Sequence, residues 1–342
     1  MAESKKIAVI GGGIAGMEAA GNLVNLGFEV YLIERTNRLG GNVANWYCLF
    51  PDFKPSSKVV EQLKPAIQNK VQFRFGAEVC KTEKKGNKHL LHLNDGEVLE
   101  CDAVVVASGF SLFDAHRKEE YGYGIYDNVI TSADLEKQLA ENHTVMTTQH
   151  KAPRKIAFIH CVGSRDHKVG NAYCSKVCCV TGVKQAIEVA KMHPEAEIYS
   201  FYMDLRMYDR QFEDLYMEAQ TQHNVRFIRG RLSECFENAD KTILLKAEDT
   251  LSGKPFRLSV DMVVLLVGMQ ADQSLKHISD MFALKTSDDR FLSVADVHTS
   301  SIYSGVEGVY LAGACTGPKS IHETLNSARA AALSTAIYLN QN

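Results

Sequence analysis

The stretch KKIAVIGGGIAG, residues 5–16, decides the fold of the amino-terminal part of the chain. An apolar run ends in three glycines and leads into a helical pattern, which is the start of a dinucleotide-binding βαβ unit. Gly11 permits the tight turn and Gly13 lets the backbone approach a pyrophosphate. Gly16 lets the helix pack closely on the sheet.

The residues that follow supply the rest of this unit. Residues 17–26 have a helical pattern, and residues 28–33 form a second apolar run that ends at Glu34. The amino end of the helix offers free N–H groups to the phosphates. An acid at this place accepts hydrogen bonds from a ribose diol, which favours FAD or NAD over NADP. The alternative is a glycine-rich turn in a Rossmann fold without a cofactor.

Further motifs favour FAD. Residues 38–41, Arg-Leu-Gly-Gly, resemble the second glycine pair of the two-dinucleotide-binding flavoproteins. Residues 102–109 predict a buried strand whose turn resembles the Ala-Thr-Gly turn of those proteins, with Ser108 for Thr, although a plain buried strand explains the apolar run equally well. Residues 76–100 predict an inserted β-hairpin around Lys84-Lys85-Gly86-Asn87.

The carboxy-terminal part predicts a strand over residues 308–314 and an Ala-rich helix over residues 321–339. In the same flavoproteins this strand ends in Gly-Asp, and the Asp binds the ribityl chain. Ala314 stands in the place of that Asp, which puts the ribityl contact in doubt. The positive end of the following helix would still favour reduced, anionic flavin.

These motifs predict an α/β fold of the two-dinucleotide-binding flavoprotein type. Residues 1–130 and 272–342 are expected to form a discontinuous, Rossmann-type FAD domain. Residues 131–271 are expected to form an inserted, degenerate NAD-type domain that carries an iron–sulfur loop.

Four cysteines replace the second phosphate-binding turn. After a strand over residues 155–160, the chain lacks a GxGxxG motif and carries Cys161, Cys174, Cys178 and Cys179. A helix predicted over residues 174–192 would place Cys174 and Cys178 on one face. Four thiolates suit a [4Fe–4S] cluster, and a helix amino terminus with Lys176 favours thiolates. A structural zinc, a redox disulfide and inert cysteines are the alternatives.

Composition excludes several other classes of protein. The formal net charge is −3 and no basic block occurs, so nucleic acid is not an expected partner. No apolar run approaches ~18 residues, so direct membrane insertion is not expected. The first residues do not resemble a signal peptide, which predicts a cytoplasmic protein, where clustered cysteines bind metal or do redox work. The remaining cysteines are predicted to be core or partly exposed thiols: Cys48, Cys80, Cys101, Cys235 and Cys315.

The cysteine motifs carry a specific resemblance. CVGSRD from Cys161 and YCSKVCC from Tyr173, with YGYG from Tyr121, NVITS from Asn128 and GPKS from Gly317, resemble the flavin-containing A-type subunit of heterodisulfide reductases. The family implies FAD, one [4Fe–4S] cluster on the four cysteines, a homodimer, and partner subunits of the B and C type. Methanogen members are longer and carry ferredoxin-like modules, whose Cys-x-x-Cys runs this sequence lacks.

The chain is therefore similar to the short form found in sulfur-oxidising bacteria, with the A-type subunit of a quinone-interacting membrane-associated complex as the near alternative. The expected role is electron transfer that converts between two-electron and one-electron steps. An NAD(P)H-dependent flavoprotein oxidoreductase is a rival, but it would want a paired cysteine near the flavin and an intact second glycine loop. A non-catalytic assembly subunit that keeps FAD only for structure is a second rival.

The resemblance also implies roles for individual residues. Lys184 could approach the flavin N5 as the catalytic group, with a solvated surface lysine as the alternative. Asn45 and Trp46 could pack on the isoalloxazine, with ordinary core as the alternative for Trp46. The predicted FAD contacts are Gly11, Gly13, Ile14, Ala15, Gly16, Glu34, Arg35, Leu39, Gly40, Gly41, Asn42, Asn45, Trp46, Val79, Ala107, Ser108, Gly109, Gly313, Ala314, Lys319, Ser320 and Ile321.

Overall fold

The computed structural model describes residues 4–341 and contains the following elements. The strands are β1 (Lys6–Ile10), β2 (Glu29–Glu34), β3 (Cys48–Leu49), β4 (Lys54–Pro55), β5 (Gln72–Phe75), β6 (Val79–Lys85), β7 (Lys88–Leu93), β8 (Val98–Cys101), β9 (Ala103–Val106), β10 (Ser111–Leu112), β11 (Val129–Thr131), β12 (Lys155–Val162), β13 (Glu197–Tyr202), β14 (Arg226–Arg229), β15 (Leu232–Glu237), β16 (Ile243–Asp249), β17 (Lys254–Val260), β18 (Met262–Val267), β19 (Met269–Gln270) and β20 (Val309–Leu311). The helices are α1 (Ile14–Asn25), α2 (Ser56–Ile67), α3 (Ser132–Asn142), α4 (Cys178–Met192), α5 (Phe212–Thr221), α6 (Gln273–Phe282) and α7 (Ile321–Gln341).

The first of two compact units comprises the chain up to Ala44, Ser56–Ser111 and the part from Gln270 onward. Its main sheet is parallel, in the order β20-β9-β1-β2-β5. Strand β9 is buried along its whole length, which explains its continuous apolar sequence AVVV. Helix α1 packs against α2 and α7. This is the Rossmann-type unit that the glycine motif predicts.

The second unit comprises Asn45–Pro55 and Leu112–Met269. Its five-stranded sheet is again parallel, in the order β11-β18-β12-β13-β14. The connection from β12 through α4 to β13 keeps the βαβ arrangement. A three-stranded antiparallel sheet, β15-β16-β17, follows in the same unit. The predicted fold of two Rossmann-type units therefore agrees with the structure.

The division of the chain differs from the predicted boundaries in two places. Residues 112–130 belong with the second unit, because the Phe113 N–H donates to the Gly268 carbonyl and β11 pairs with β18. The segment Asn45–Pro55 belongs there as well, since the Tyr47 N–H donates to the Glu136 carboxylate over 2.8 Å. Both attachments join residues far apart in sequence, so local patterns did not indicate them.

The predicted hairpin is present as β6 and β7, and β8 adds a third antiparallel strand to it. Among residues 4–341, the structure shows no helix with the length and apolar character that a membrane crossing requires.

Candidate cofactor and metal sites

Two glycine turns meet in the first unit, beyond the carboxyl end of β1. Gly11 has a φ of +109°, and a Cβ at this position would lie 2.4 Å from the Ala107 carbonyl oxygen. A Cβ at Gly16 would lie 1.8 Å from the Gly11 oxygen, so α1 can pack here only without a side chain. The Gly40 N–H donates to the Gly12 carbonyl over 2.9 Å, which joins the second glycine pair to the first turn.

The amino end of α1 is left open. Gly13 is its N-cap residue, no side chain caps the helix, and its first turn carries no acid. The free N–H groups of a helix amino terminus bind anions well. This geometry fits a dinucleotide pyrophosphate at the place where the sequence predicts one.

Glu34 lies at the edge of a cleft in the same unit. One carboxylate oxygen accepts from the Gly12 N–H over 2.6 Å, and the other accepts from the N–H and hydroxyl of Thr36. The cleft is lined by five of the predicted contacts, Gly11, Glu34, Arg35, Val79 and Ser108. The Ser108 hydroxyl oxygen is buried and has no hydrogen-bond partner among the described residues. A buried hydroxyl without a partner is costly, so a bound polar group would satisfy it.

The two glycine turns, the amino end of α1 and the cleft at Glu34 together form a candidate dinucleotide cradle. The carboxy-terminal turn adds its last part. Gly313 has a φ of +74°, and its N–H donates to the Ser327 hydroxyl. The Ser320 N–H donates to Glu323, which caps the start of α7. Ala314 is buried and offers only backbone groups to a ligand.

All of the predicted FAD contacts except Asn45 and Trp46 belong to the first unit. Asn45 and Trp46 lie in the segment that belongs with the second unit. Arg35 pairs with Asp272 through both guanidinium nitrogens, which raises its pKa. These residues stay predicted contacts.

The cysteine loop of the second unit begins with an irregularity in β12. The register against β18 shifts between Ile159 and Val162, and Cys161 adopts a left-handed φ of +60°. A bulge of this kind re-aims the side chains on a strand. Cys161 is buried and lies among Cys178 and Cys179 at the start of α4.

The predicted helix boundary at Cys174 is wrong. Helix α4 begins at Cys178, and Lys176 has a left-handed φ of +61°, which interrupts any helix from Cys174. Ser175 is held in place beside this turn, because its hydroxyl accepts from the Met269 N–H and lies 2.5 Å from the Ser164 hydroxyl. Cys174 therefore lies in the loop that precedes α4 and does not share a helix face with Cys178.

Three of the four thiols, those of Cys161, Cys178 and Cys179, interact with one another. Cys178 donates hydrogen bonds to its neighbours, which lowers the pKa of Cys161 and of Cys179 and raises that of Cys178. The Lys176 N–H lies 3.3 Å from the Cys174 sulfur. Within residues 4–341, no three His, Cys, Asp or Glu side chains converge as a site for one metal ion. The four cysteine ligands of a [4Fe–4S] cluster bind different iron atoms, so they need not converge on one point. The four cysteines at the two ends of this loop therefore remain a suitable donor set.

A buried ion network holds this loop in place. The Asp166 carboxylate accepts from Lys118 over 2.8 Å and from Arg231 over 2.9 Å. Lys118 and Asp166 are each only 3% exposed at the side chain. The Arg165 N–H donates to the Tyr173 carbonyl, so the two arms of the loop are tied together. Sequence patterns gave no sign of this network, since its members are more than 40 residues apart.

Lys184 is buried, and the alternative of a solvated surface lysine is wrong. Its side chain is 1% exposed, and its Nζ lies 2.5 Å from Glu136 and 3.0 Å from Glu188. The same Nζ donates to the Cys48 carbonyl over 3.0 Å, which fastens the 45–55 segment. The neighbouring Gln185 also donates to Glu136. Glu188 follows Lys184 by one helical turn, a spacing that the sequence could have indicated.

The other cysteines carry no second site. Burial raises the pKa of Cys101 and Cys235 to about 12 and of Cys48 and Cys315 to about 11. Cys80 is exposed. High pKa values keep a thiol protonated and weakly reactive. The sequence predicted core or partly exposed thiols, and Cys101, Cys235 and Cys315 are indeed buried.

Two Rossmann-type units, one with a glycine-lined dinucleotide cradle, define the class of two-dinucleotide-binding flavoproteins. The chain belongs to the pyridine nucleotide-disulphide oxidoreductase family, whose family model matches residues 2–135 and 178–332. The break in the match, residues 136–177, contains Cys161 and Cys174. The predicted oxidoreductase class is thus confirmed, and part of the cysteine loop lies outside the family pattern.

Curated relatives confirm the resemblance to the A-type subunit of heterodisulfide reductases. The chain is 30% identical to the iron–sulfur A-type subunit 1 of the CoB–CoM heterodisulfide reductase of Methanopyrus kandleri, over 98% of this chain and 64% of that protein. It is 38% identical to the A-type subunit of the H₂/formate:CoB–CoM heterodisulfide,ferredoxin reductase of Methanococcus maripaludis, over 71% of this chain and 38% of that protein. The chain therefore spans less than two thirds of the length of these relatives.

Solved structures agree on the fold. The thioredoxin reductase of T. acidophilum has a TM-score of 0.67 at 18% identity, covering 99% of both chains. The thioredoxin reductase of Lactococcus lactis has a TM-score of 0.67 at 16% identity, covering 99% of this chain and 100% of that one. At this identity the likeness concerns the fold alone, and it confirms the predicted fold class.

The Glu188 carboxyl generates a prediction about stability. Burial raises its pKa to about 7, with Lys184 opposing and Glu136 adding to the rise. Because this lies above the ordinary value of 4.5, the folded chain holds an extra proton between those two pH values. Stability from this group is therefore present at low pH and is lost as pH rises through that window.

Glu188→Gln should remove this pH dependence. From about pH 5 to about pH 8, the free energy of unfolding should fall less in the variant than in the wild type. The difference between the two falls should be on the order of 2 kcal/mol. Urea unfolding at both pH values measures the difference. Glu141→Gln, on an exposed side chain, is the control and should follow the wild type. Equal pH slopes in all three proteins would show that Lys184 keeps Glu188 ionised.

Proposed function

We propose that this protein is an FAD and [4Fe–4S] electron-transfer subunit of a heterodisulfide-reductase-like complex, acting in cytoplasmic sulfur oxidation. The observation that carries the proposal is the cysteine loop, which stands where a second Rossmann-type unit would carry its phosphate-binding turn. B-type and C-type subunits are the proposed partners, and a homodimer is the proposed core. Without a second glycine turn, NAD(P)H has no predicted phosphate site in this unit.

The first unit would hold FAD through the two glycine turns, the open amino end of α1, Glu34 and the unpartnered Ser108 hydroxyl. The second unit would hold the cluster through Cys161, Cys174, Cys178 and Cys179. When bound, FAD exchanges electrons in pairs or singly and a [4Fe–4S] cluster exchanges one, which together allow conversion between two-electron and one-electron donors. Arg165 lies near Cys161 and Cys174, and its positive charge would favour thiolates there.

Sulfur oxidation is proposed from the resemblance to the A-type subunits of sulfur-oxidising bacteria, which the cysteine motifs beginning at Cys161 and Tyr173 carry. The rival interpretation as an NAD(P)H-dependent disulfide reductase has weak support, because Cys48 has a raised pKa of about 11.

Metal analysis of anaerobically purified protein tests the cluster. We expect one FAD with about four irons and four sulfides per chain, and an EPR signal from the reduced cluster. Cys178→Ala should abolish that signal, because it removes a ligand. Cys235→Ala, a buried cysteine on β15 outside the set, is the control and should retain it. Flavin without iron, or one zinc in its place, would contradict the cluster.

Gly16→Ala tests the dinucleotide cradle. The new Cβ would overlap the Gly11 carbonyl oxygen, so α1 must move away from the turn and FAD should be lost. We expect at least about a tenfold drop in FAD affinity, which is about 1.4 kcal/mol. Gly27→Ala is the control: its Cβ would meet no atom within 4 Å, and the strain from its φ of +92° falls beyond the far end of α1, away from the glycine turn. The visible flavin absorbance per purified chain measures bound FAD; equal content in both variants would argue against the cradle.

Lys184→Met tests the proposed catalytic residue. If the ammonium group favours reduced flavin, its loss should lower the flavin midpoint potential, as measured by a spectroscopic redox titration. The double variant Lys184→Met with Glu136→Gln keeps the test valid if an unpaired buried carboxylate unfolds the single variant. Lys191→Met, on an exposed lysine of the same helix, is the control. An unchanged potential would leave Lys184 with a structural role only.

A further inference from the structure

We propose that Asp272 is a specificity-determining residue of the cleft at Glu34, where it engages the Arg35 guanidinium and so makes the cleft reject a nucleotide whose ribose carries a 2′-phosphate. The proposal rests on the proposed function, because it concerns the cleft that would hold the adenosine end of FAD. Asp272 is outside the set of predicted FAD contacts.

The pair joins two segments that are far apart in sequence but belong to the same unit. Arg35 Nη1 lies 3.2 Å from Asp272 Oδ1, and Arg35 Nη2 lies 3.3 Å from Asp272 Oδ2. Two parallel hydrogen bonds of this kind fix the plane of a guanidinium as well as its position. The carboxylate therefore both orients Arg35 and balances its charge.

Arg35 occupies a position where a free cation would matter. It directly follows Glu34, the residue expected to accept from the ribose diol, and both side chains line the same cleft. In other Rossmann-type units, an arginine near this acid accommodates the 2′-phosphate of NADP. The chain thus carries an acid that suits an unphosphorylated ribose beside a cation that suits a phosphorylated one. Asp272 decides between the two, because it occupies the cation.

The other charges at the cleft act in the same direction. Asp272, Glu34 and Glu78 each raise the pKa of Arg35, because every one of these carboxylates stabilises the charged guanidinium. Besides Arg35, the lining contains one side chain that can carry a positive charge, His277 of α6. A 2′-phosphate would bring about two further negative charges to a place where acids already outnumber cations.

Helix α6 holds Asp272 from its other side. Asp272 is the N-cap residue of α6, and its Oδ1 accepts from the Ser274 N–H over 3.0 Å and from the Ser274 hydroxyl over 2.6 Å. The Asp272 side chain is 11% exposed, whereas that of Arg35 is 49% exposed. Without the carboxylate, the half-exposed arginine would be free to turn toward a ligand in the cleft.

The test uses Asp272→Asn, which removes the charge and keeps the helix cap, because Asn caps helices as well as Asp does. Flavin is removed from the full chain, and FAD is added back with adenosine 5′-monophosphate or adenosine 2′,5′-bisphosphate as competitor. The two competitors differ only in the 2′-phosphate. Flavin fluorescence reports rebinding, and about pH 8 is used because histidine is ordinarily neutral there.

The readout is the ratio of the two half-inhibiting concentrations, bisphosphate over monophosphate. We expect a ratio of at least about ten in the wild type and a fall of about tenfold in Asp272→Asn, the size expected for one charge-assisted contact to phosphate. Adding Arg35→Met to Asp272→Asn should return the ratio to at least the wild-type value, because the freed cation is then gone.

Glu97→Gln is the matched control. Glu97 accepts from Arg74 Nε over 2.6 Å and from Arg74 Nη2 over 2.8 Å, so it also forms a two-point pair with an arginine of the first unit. Neither residue belongs to the lining of the cleft. The ratio in Glu97→Gln should equal that of the wild type.

Three results would overturn the proposal: an unchanged ratio in Asp272→Asn, a fall that Arg35→Met does not reverse, and equal weakening of both competitors, which a purely structural role would produce. If the flavin-free chain does not take up FAD again, release of FAD from the purified holoprotein by each competitor supplies the same ratio. Competitors without effect on the wild type also defeat the proposal. FAD in the wild type with unshifted variants defeats only this proposal, whereas a wild type without flavin defeats the proposed function as well.

Discussion

The buried carboxylate of Asp166 is the contact on which the candidate metal site depends. It accepts from Lys118, 48 residues before it, and from Arg231, 65 residues after it. A buried charge must be paired, so this carboxylate can occupy only one place in the fold. Asp166 lies between Cys161 and Cys174, and fixing it fixes the loop that separates the two cysteines. The loop between Cys161 and Cys174 is thus held by charge pairing as well as by the sheet.

The same loop concentrates backbone strain. Cys161, Arg165 and Lys176 all have left-handed φ values, although none is a glycine. Such residues cost about 1–3 kcal/mol each and persist where the surroundings enforce them. The surroundings here include the Arg165–Tyr173 backbone bond and the Ser164–Ser175 contact. Strain at three positions within sixteen residues fits a loop shaped for a ligand and not for its own stability.

The sequence predicted those parts of the fold that local patterns determine. Residue spacing predicted the glycine turn, both Rossmann-type units and the hairpin. The cysteine motif was recognisable from its residues alone. The conformation of Cys174 could not be predicted, because Ser175 bonds to Met269, which lies 94 residues away. The burial of Lys184 depends in the same way on Glu136, 48 residues before it. Long-range polar contacts are therefore what the sequence analysis missed.

The second unit has two separate clusters of buried charged side chains, and the clusters differ in their ratio of cations to carboxylates. Around Asp166, two cations face one buried acid and the nearby Glu120. Around Lys184, one cation faces two carboxylates, and the raised pKa of Glu188 relieves the excess by holding a proton. The first cluster stays charged over the physiological range and suits a fixed scaffold. The second can change its charge near neutral pH, because the pKa of Glu188 is raised to about 7.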